Sequence, residues 1–275
     1  MFSRLLSSLL LLVVFTPLEL RSQEVGLQLY SLRNQFENDV PATFTLIKNW
    51  GITKIEGGAV TYGVSEERFK GLLQEHGLEV VSIGASYQEL KKDPRIALDR
   101  AKGFGTRFVM CPWIPHGKRF TLKDAKKAVG VFNAAGQVLA TAGITLLYHP
   151  HGYEFEAHAG GTVFDFMARS AQYFAFELDI FWARHAGVDP LDLLKAYPGQ
   201  FKTLHLKDMR KGAVGDGTGR QDVEDSVALG TGSLAVAEIV KLARKQGVVY
   251  LFLEDESSAV LTQIPKSLAF LETID

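Results

Sequence analysis

ATAGITLLYHPHGYEF, residues 140–155, holds the logic of the fold in one stretch. A helical segment stops at Gly143, the apolar run ITLLYH follows at 144–149, and His149, His151 and Glu154 stand at its end or directly behind it. A glycine after the last helical residue takes the left-handed conformation that ends a helix. A short β-branched run bounded by turn residues predicts a buried strand. The same punctuation recurs where NWG precedes ITKIE, EHG precedes LEVVS and KQG precedes VVYLF.

Working outward, the apolar runs are VGLQLY (25–30), TKIEG (53–57), LEVVSIG (78–84), RFVMC (107–111), ITLLYH (144–149), FAFELD (174–179), FKTLHLK (201–207) and VVYLFLE (248–254). Helical spacing fills the gaps, as in VPATFTLIKNW, SEERFKGLLQEH, DAKKAVGVFNAAGQVLATA and SLAVAEIVKLARKQ. Eight strand-then-helix units predict parallel strands, and in a chain of 275 residues they fit a closed (β/α)8 TIM barrel of class α/β. A doubly wound open sheet is the competitor, but the turn after its first strand is Gly-rich, whereas here that turn is LYSLRNQ.

Composition sets the outer limits. With 47% hydrophobic and 22% charged residues the chain can bury a full core, and no linker-like tract divides it. The leader MFSRLLSSLLLLVVFTPLELRSQ has Arg4, an apolar stretch to about Phe15 and a polar exit. It predicts a secretory signal peptide over residues 1–22, export to a bacterial periplasm, and a single barrel domain over 23–275. An uncleaved anchor is the other reading of the leader. A net charge of -1 without long charge blocks argues against nucleic acid as a partner. Cys111 is the sole cysteine, so no internal disulfide forms and a packed thiol is expected. The Gly- and Asp-rich stretch at 209–233 is expected to be either a lid facing substrate or a disordered surface insertion.

A barrel gathers its chemistry at the C-terminal ends of its strands. Those ends carry Glu56, His149, His151, Asp179, His205, Lys207 and Glu254. Carboxylates buried together repel one another and cost desolvation energy unless a cation joins them. Asp179, His205 and Glu254, with His149 as a fourth ligand, form a mixed oxygen and nitrogen set that suits manganese, zinc, cobalt or magnesium rather than calcium. Taken singly each has an ordinary alternative: a strand-end histidine as a hydrogen-bonded structural group, an aspartate such as Asp179 as a helix N-cap. His76, His116, His158 and His185 fall in helix ends or loops and are expected to be structural or solvated.

On these residues the chain resembles the sugar phosphate isomerase/epimerase superfamily, the xylose isomerase-like TIM barrels. The resemblance is carried by GLQLYSLR (26–33), YHPHGYEF (148–155), ELDIFWARHAGVDP (177–190), LHLKD (204–208), GTGS (230–233) and FLED (252–255). It implies a divalent metal, commonly manganese, on four strand-end ligands, three of which match Asp179, His205 and Glu254. The fourth is usually a glutamate ending the fifth strand, where this chain has His149. Either His149 replaces it, which the fixed strand end favours, or Glu154 swings in from the loop and the histidines contact substrate. The implied reaction is that of a sugar isomerase or epimerase: proton abstraction next to a carbonyl through an enediolate stabilised by the cation, with Glu254 and Glu154 or His151 as bases and Lys207 steering an oxygen. If only one face has a base, a lyase or hydratase acting by β-elimination on a keto-sugar or keto-glycoside is the alternative. A non-catalytic sugar-binding barrel and an endonuclease IV-like enzyme are further alternatives.

The expected partner is a small sugar or sugar derivative, with a homo-oligomer open. Tyr30, Trp113 and Trp182 offer flat faces to a sugar ring or simply pack, and Glu56 is expected to contact substrate. Lys207 is either a catalytic cation or the partner of Asp208 in a salt bridge. Lys207, Arg210 and Lys211 could accept a phosphate, and the GTGS turn could bind an anion.

Overall fold

The computed structural model describes residues 24–158 and 160–274. The expected signal peptide at 1–22 lies outside the described residues. The eight expected runs form strands β1 (Glu24–Gln28), β2 (Lys54–Glu56), β3 (Glu79–Gly84), β4 (Phe108–Cys111), β5 (Thr145–Tyr148), β6 (Phe174–Asp179), β7 (Phe201–Leu206) and β8 (Tyr250–Leu253). They close into one barrel in which each strand pairs parallel with its sequence neighbours and β8 returns to β1. The single α/β TIM barrel is therefore the observed architecture, and the open sheet is excluded.

Local chemistry explains the punctuation between strands. The helix Glu66–His76 begins where Ser65 accepts from the Arg68 amide and ends at Gly77, whose φ of 67° is left-handed. The long helix Leu122–Ala140 starts on a reciprocal capping box between Thr121 and Asp124. The first strand is shorter than expected. The Gln28 side chain accepts from the Tyr30 amide at 3.1 Å and tips Leu29–Leu32 into a single 3-10 turn.

Among the described residues the two larger apolar cores follow from this arrangement. One lies between strands and helices, with Leu27, Phe44, Phe69, Phe132, Phe176 and Leu251 among its fully buried members. A smaller one, built from Val81, Phe108, Met110, Leu147, Ala175, Tyr250 and Phe252, forms where the side chains of neighbouring strands meet. Register places polar groups alongside it. Gln28 pairs with Glu56 and Glu56 with Ser82 across β1, β2 and β3, while Glu177 pairs with Thr203 and Asp179 with His205 across β6 and β7.

The 209–233 stretch is folded. Asp208–Met209 pairs antiparallel with Ser226–Val227, Arg210 forms an ion pair with Asp225, and Gln221 donates to Glu256 at 2.8 Å. Gly219, at a φ of +72°, lies so close to His151 and Tyr153 that a Cβ there would sit 3.0 Å from the Tyr153 ring and 3.2 Å from the His151 Cβ. The stretch is thus a packed roof over the mouth, which overturns the disordered-insertion reading.

Candidate metal centre and active site

Four side chains from β5, β6, β7 and β8 meet at the barrel mouth. His149 Nε2 lies 3.5 Å from Asp179 Oδ2, and His205 Nδ1 lies 3.8 Å from Asp179 Oδ2 and 3.2 Å from Glu254 Oε2. All four offer ligand atoms within 4.8 Å of one another. Ligands about 2.1 Å from one tetrahedral ion stand roughly 3.4 Å apart, so the spacing fits a single cation. Each of these four atoms is buried without a hydrogen-bond partner, a costly condition that a cation relieves. Two imidazoles and two carboxylates suit a divalent transition ion.

The other atoms of Asp179 and His205 are already committed. Asp179 Oδ1 accepts from the Phe181 and Trp182 amides at 2.7 and 3.0 Å and caps the helix Ile180–His185. Asp179 is thus both the N-cap and a free oxygen for the ion. His205 Nε2 lies 2.6 Å from Glu56 Oε1 and 3.1 Å from Glu177 Oε2. Gln28 donates to Glu56 at 2.6 Å, Ser82 donates to its other oxygen, and Thr203 donates to Glu177 at 2.6 Å. Glu56 and Glu177 have no exposed surface. The structure therefore surrounds Glu56 with protein groups and sets it behind His205, where a carboxylate fixes the ring and directs the other nitrogen to a metal. Sequence reasoning missed Glu177. Its signal was the FELD alternation, which puts Glu177 two residues before Asp179 on the same strand face.

Charge in the cluster is lopsided. Burial pushes the Glu56 carboxyl up, with the neighbouring Glu177 adding to it, to about 6. Burial alone would lower the His205 pKa, but Glu177 and Glu254 outweigh it and hold the ring well above the ordinary histidine value. Burial likewise works against ionised Glu254, yet Lys207 and His205 keep its carboxyl well below the usual range. Lys207 is buried, ion-paired with Glu256 and 4.9 and 5.2 Å from the Phe181 and Trp182 rings.

Several expectations are redirected. Glu154 does not join the four ligands. Its carboxylate accepts from the Tyr148 hydroxyl and from the His151 and Gly152 amides at 3.1 and 2.9 Å, and burial raises its pKa to about 7. The alternative reading of Lys207, a bridge to Asp208, is not met: Lys207 pairs with Glu256, and Asp208 is occupied elsewhere. It accepts from the amides of Met209, Gly230, Gly232 and Leu234 at 2.8–3.1 Å. The GTGS turn thus already binds an anion, the chain's own carboxylate. Arg210 is spent on Asp225, and Lys211 is exposed, so the three cations do not converge.

A cavity of about 480 Å³ opens onto the ligands and is lined by Tyr30, Glu56, Trp113, His149, His151, Trp182, His205 and Glu254 among others. His151 is driven well below the ordinary histidine pKa, chiefly by burial and then by His149, so its ring is neutral at pH 7. Trp113 and Trp182 stand 5.4 and 5.3 Å from that ring. Of the other histidines, His76 bonds the Leu72 carbonyl, His116 bonds the Ile114 carbonyl, His185 stacks on Phe181 and His158 is exposed. Cys111 is buried, and burial raises its thiol to about 12.

Solved structures share this architecture. A sugar phosphate isomerase/epimerase from Parabacteroides distasonis is 23% identical, with a TM-score of 0.75 over 91% of this chain and 93% of that one. A probable 3-DHS dehydratase from Bacillus anthracis is 15% identical, with a TM-score of 0.69 over 92% and 100%. A structure described as IOLI protein with a binding zinc atom is 14% identical, with a TM-score of 0.65 over 92% and 97%. At such identities these likenesses speak for the fold. No curated protein matches the chain. The family model for the xylose isomerase-like TIM barrel matches residues 44–274, and the chain belongs to that family.

Proposed function

We propose that this chain is a divalent-metal-dependent sugar isomerase or epimerase that removes a proton next to a carbonyl. The observation that carries this reading is the convergence of four unpartnered ligand atoms, from His149, Asp179, His205 and Glu254, beside a cavity that holds a neutral imidazole, His151. Manganese is the ion we infer first, with zinc, cobalt and magnesium as the alternatives. When bound, such a cation supplies the electrophile that makes a proton next to a carbonyl acidic.

The chain's own residues then divide the work. Glu254 stays ionised because Lys207 stands beside it, and it takes the proton from carbon. His151, neutral and on the cavity wall, hydrogen-bonds a substrate hydroxyl and passes a proton to or from oxygen. Lys207 holds Glu256 at the cavity edge and keeps the local field positive around Glu254. Trp182 closes the wall and keeps water from the reacting carbon.

One observation favours a second reading. Epimerisation through opposed bases needs a second base in the cavity, and Glu154, one of the two candidates, is tied to Tyr148 and two backbone amides, which leaves His151. If Glu254 is the only base, isomerisation stays open, as does β-elimination in which Glu254 takes the proton, the C–H electrons form the double bond, the bond to the leaving group breaks with its electron pair, and Glu254 hands the proton on to the departing oxygen. With the leader expected at residues 1–22, we infer that the enzyme works in a periplasm.

The test is incubation of the manganese-loaded protein with a panel of keto-sugars in deuterated water. Deuterium at one carbon with all substituents retained supports isomerisation or epimerisation. A released alcohol or water supports elimination. Absence of both contradicts the reading and leaves a non-catalytic sugar-binding barrel. Glu254→Gln should lower the exchange rate by about 10²–10⁴-fold.

A further inference from the structure

The cavity has two unlike kinds of lining. His149, His151, His205 and Glu254 supply one kind of surface, and Tyr30, Ala59, Val60, Tyr62, Met110 and Trp113 supply apolar and aromatic surface beside it. Tyr30, Val60 and Trp113 are 50%, 61% and 39% exposed, so this surface continues from the cavity out to solvent. The cavity's volume of about 480 Å³ lies in the range, roughly 300–1,000 Å³, of pockets that enclose drug-sized ligands.

The apolar surface is built rather than incidental. Trp113 is braced by His116, stacked at 5.1 Å, and by Tyr153, edge-on at 5.0 Å. Tyr62 is the one non-glycine residue with positive φ among the described residues, at 51°, and its ring stacks on Phe36 at 4.3 Å. Strained backbone of this kind persists where surrounding structure holds it and gathers at ligand clamps. Charge points the same way. Among the described residues no lysine or arginine lines the cavity, while Glu56, Glu254 and Glu256 do. Arg33 lies over the Tyr30 ring but donates to the Tyr30 and Glu256 carbonyls, and Lys207 is paired with Glu256. Away from the metal position, a phosphate in this cavity would meet carboxylates and, apart from Arg33 beside Tyr30, no cation that is not already paired.

We propose that Tyr30, Val60, Tyr62 and Trp113 form a distal subsite for an uncharged ring substituent, so that the substrate is a non-phosphorylated keto-glycoside whose second ring is aromatic or a second sugar. The proposal rests on the sugar-directed reading of the metal centre and names the substrate class of that site.

Calorimetry on the full, manganese-loaded chain tests it with three probe sets: glucose, galactose, mannose and xylose; the 6-phosphates of the hexoses; and the phenyl β-glycosides of all four sugars. At least one phenyl glycoside should bind about tenfold more tightly than its parent sugar, and no phosphate should bind more tightly than its parent. Trp113→Ala and Val60→Asp should bring the ratio of phenyl glycoside to parent sugar close to one, with manganese affinity unchanged. A hexose 6-phosphate as the tightest ligand, no phenyl glycoside binding at millimolar concentration, or a preference that survives both substitutions would overturn the proposal. Deuterium exchange with the keto-sugar panel, measured on the same protein, separates the two claims. An aryl preference without exchange upholds the subsite and rejects the reaction, and exchange without the preference does the reverse.

Discussion

Single residues in this site are defined by what occupies each of their atoms. Asp179 divides its two oxygens between a helix N-terminus and the cation position, and His205 divides its nitrogens between the cation position and the Glu56–Glu177 pair. Glu56→Gln keeps the shape and removes the charge behind His205, so affinity for manganese should fall about 10–100-fold in a chelator competition; a change under twofold would show that Glu56 does not orient the ring. Glu154 gives a pH prediction. Its pKa is raised by burial from 4.5 to about 7, so the folded state holds its proton more tightly than the unfolded one does. That contribution is complete below about pH 4.5 and is lost as pH rises through 7, a loss of roughly 3 kcal/mol at 1.36 kcal/mol per pH unit. Urea titrations of Glu154→Gln should therefore show a flatter stability profile between pH 5 and 8 than the parent, and parallel profiles would refute this account. These atom-level roles were only half legible. Strand-end position exposed His149, Asp179, His205 and Glu254, but the hydrogen bonds that withdraw Glu154 and Asp208 depend on loop geometry that no spacing in the sequence encodes.

Elements carry the next level. Glycine stops and β-branched runs located all eight strands, because both signals are local: a left-handed residue ends a helix and an apolar run needs burial. The segment 209–233 was not legible in the same way, since its order comes from distant partners such as Glu256, Ser258 and the Tyr153 ring. Asp208 is the anchor of this roof, accepting four backbone amides. Removing it leaves those donors buried or solvated at random. Asp208→Ala should cost about 3 kcal/mol and lower the melting temperature by roughly 6–12 °C for a domain of this size, while Asp208→Asn recovers part of the loss. A melting temperature unchanged by Asp208→Ala would show that the turn stands without it.

At the scale of the whole molecule, the barrel's closure is what turns scattered sequence positions into a site. Glu56 on β2 reaches His205 on β7, and His149, Asp179 and Glu254 approach from three other strands, although up to 198 positions separate Glu56 from Glu254. The fold class was legible because eight repeats of one motif leave few topologies; Glu177 was not, because a lone inward glutamate in an apolar strand resembles a structural polar residue until its partner is known. The account stands on one ion shared by four side chains. Anomalous diffraction from crystals of the manganese-loaded protein measures this directly. The prediction is a single peak about 2.0–2.3 Å from His149 Nε2, Asp179 Oδ2, His205 Nδ1 and Glu254 Oε2. A peak held by Glu154 in place of His149, or no peak at the barrel mouth in protein saturated with manganese, would contradict it.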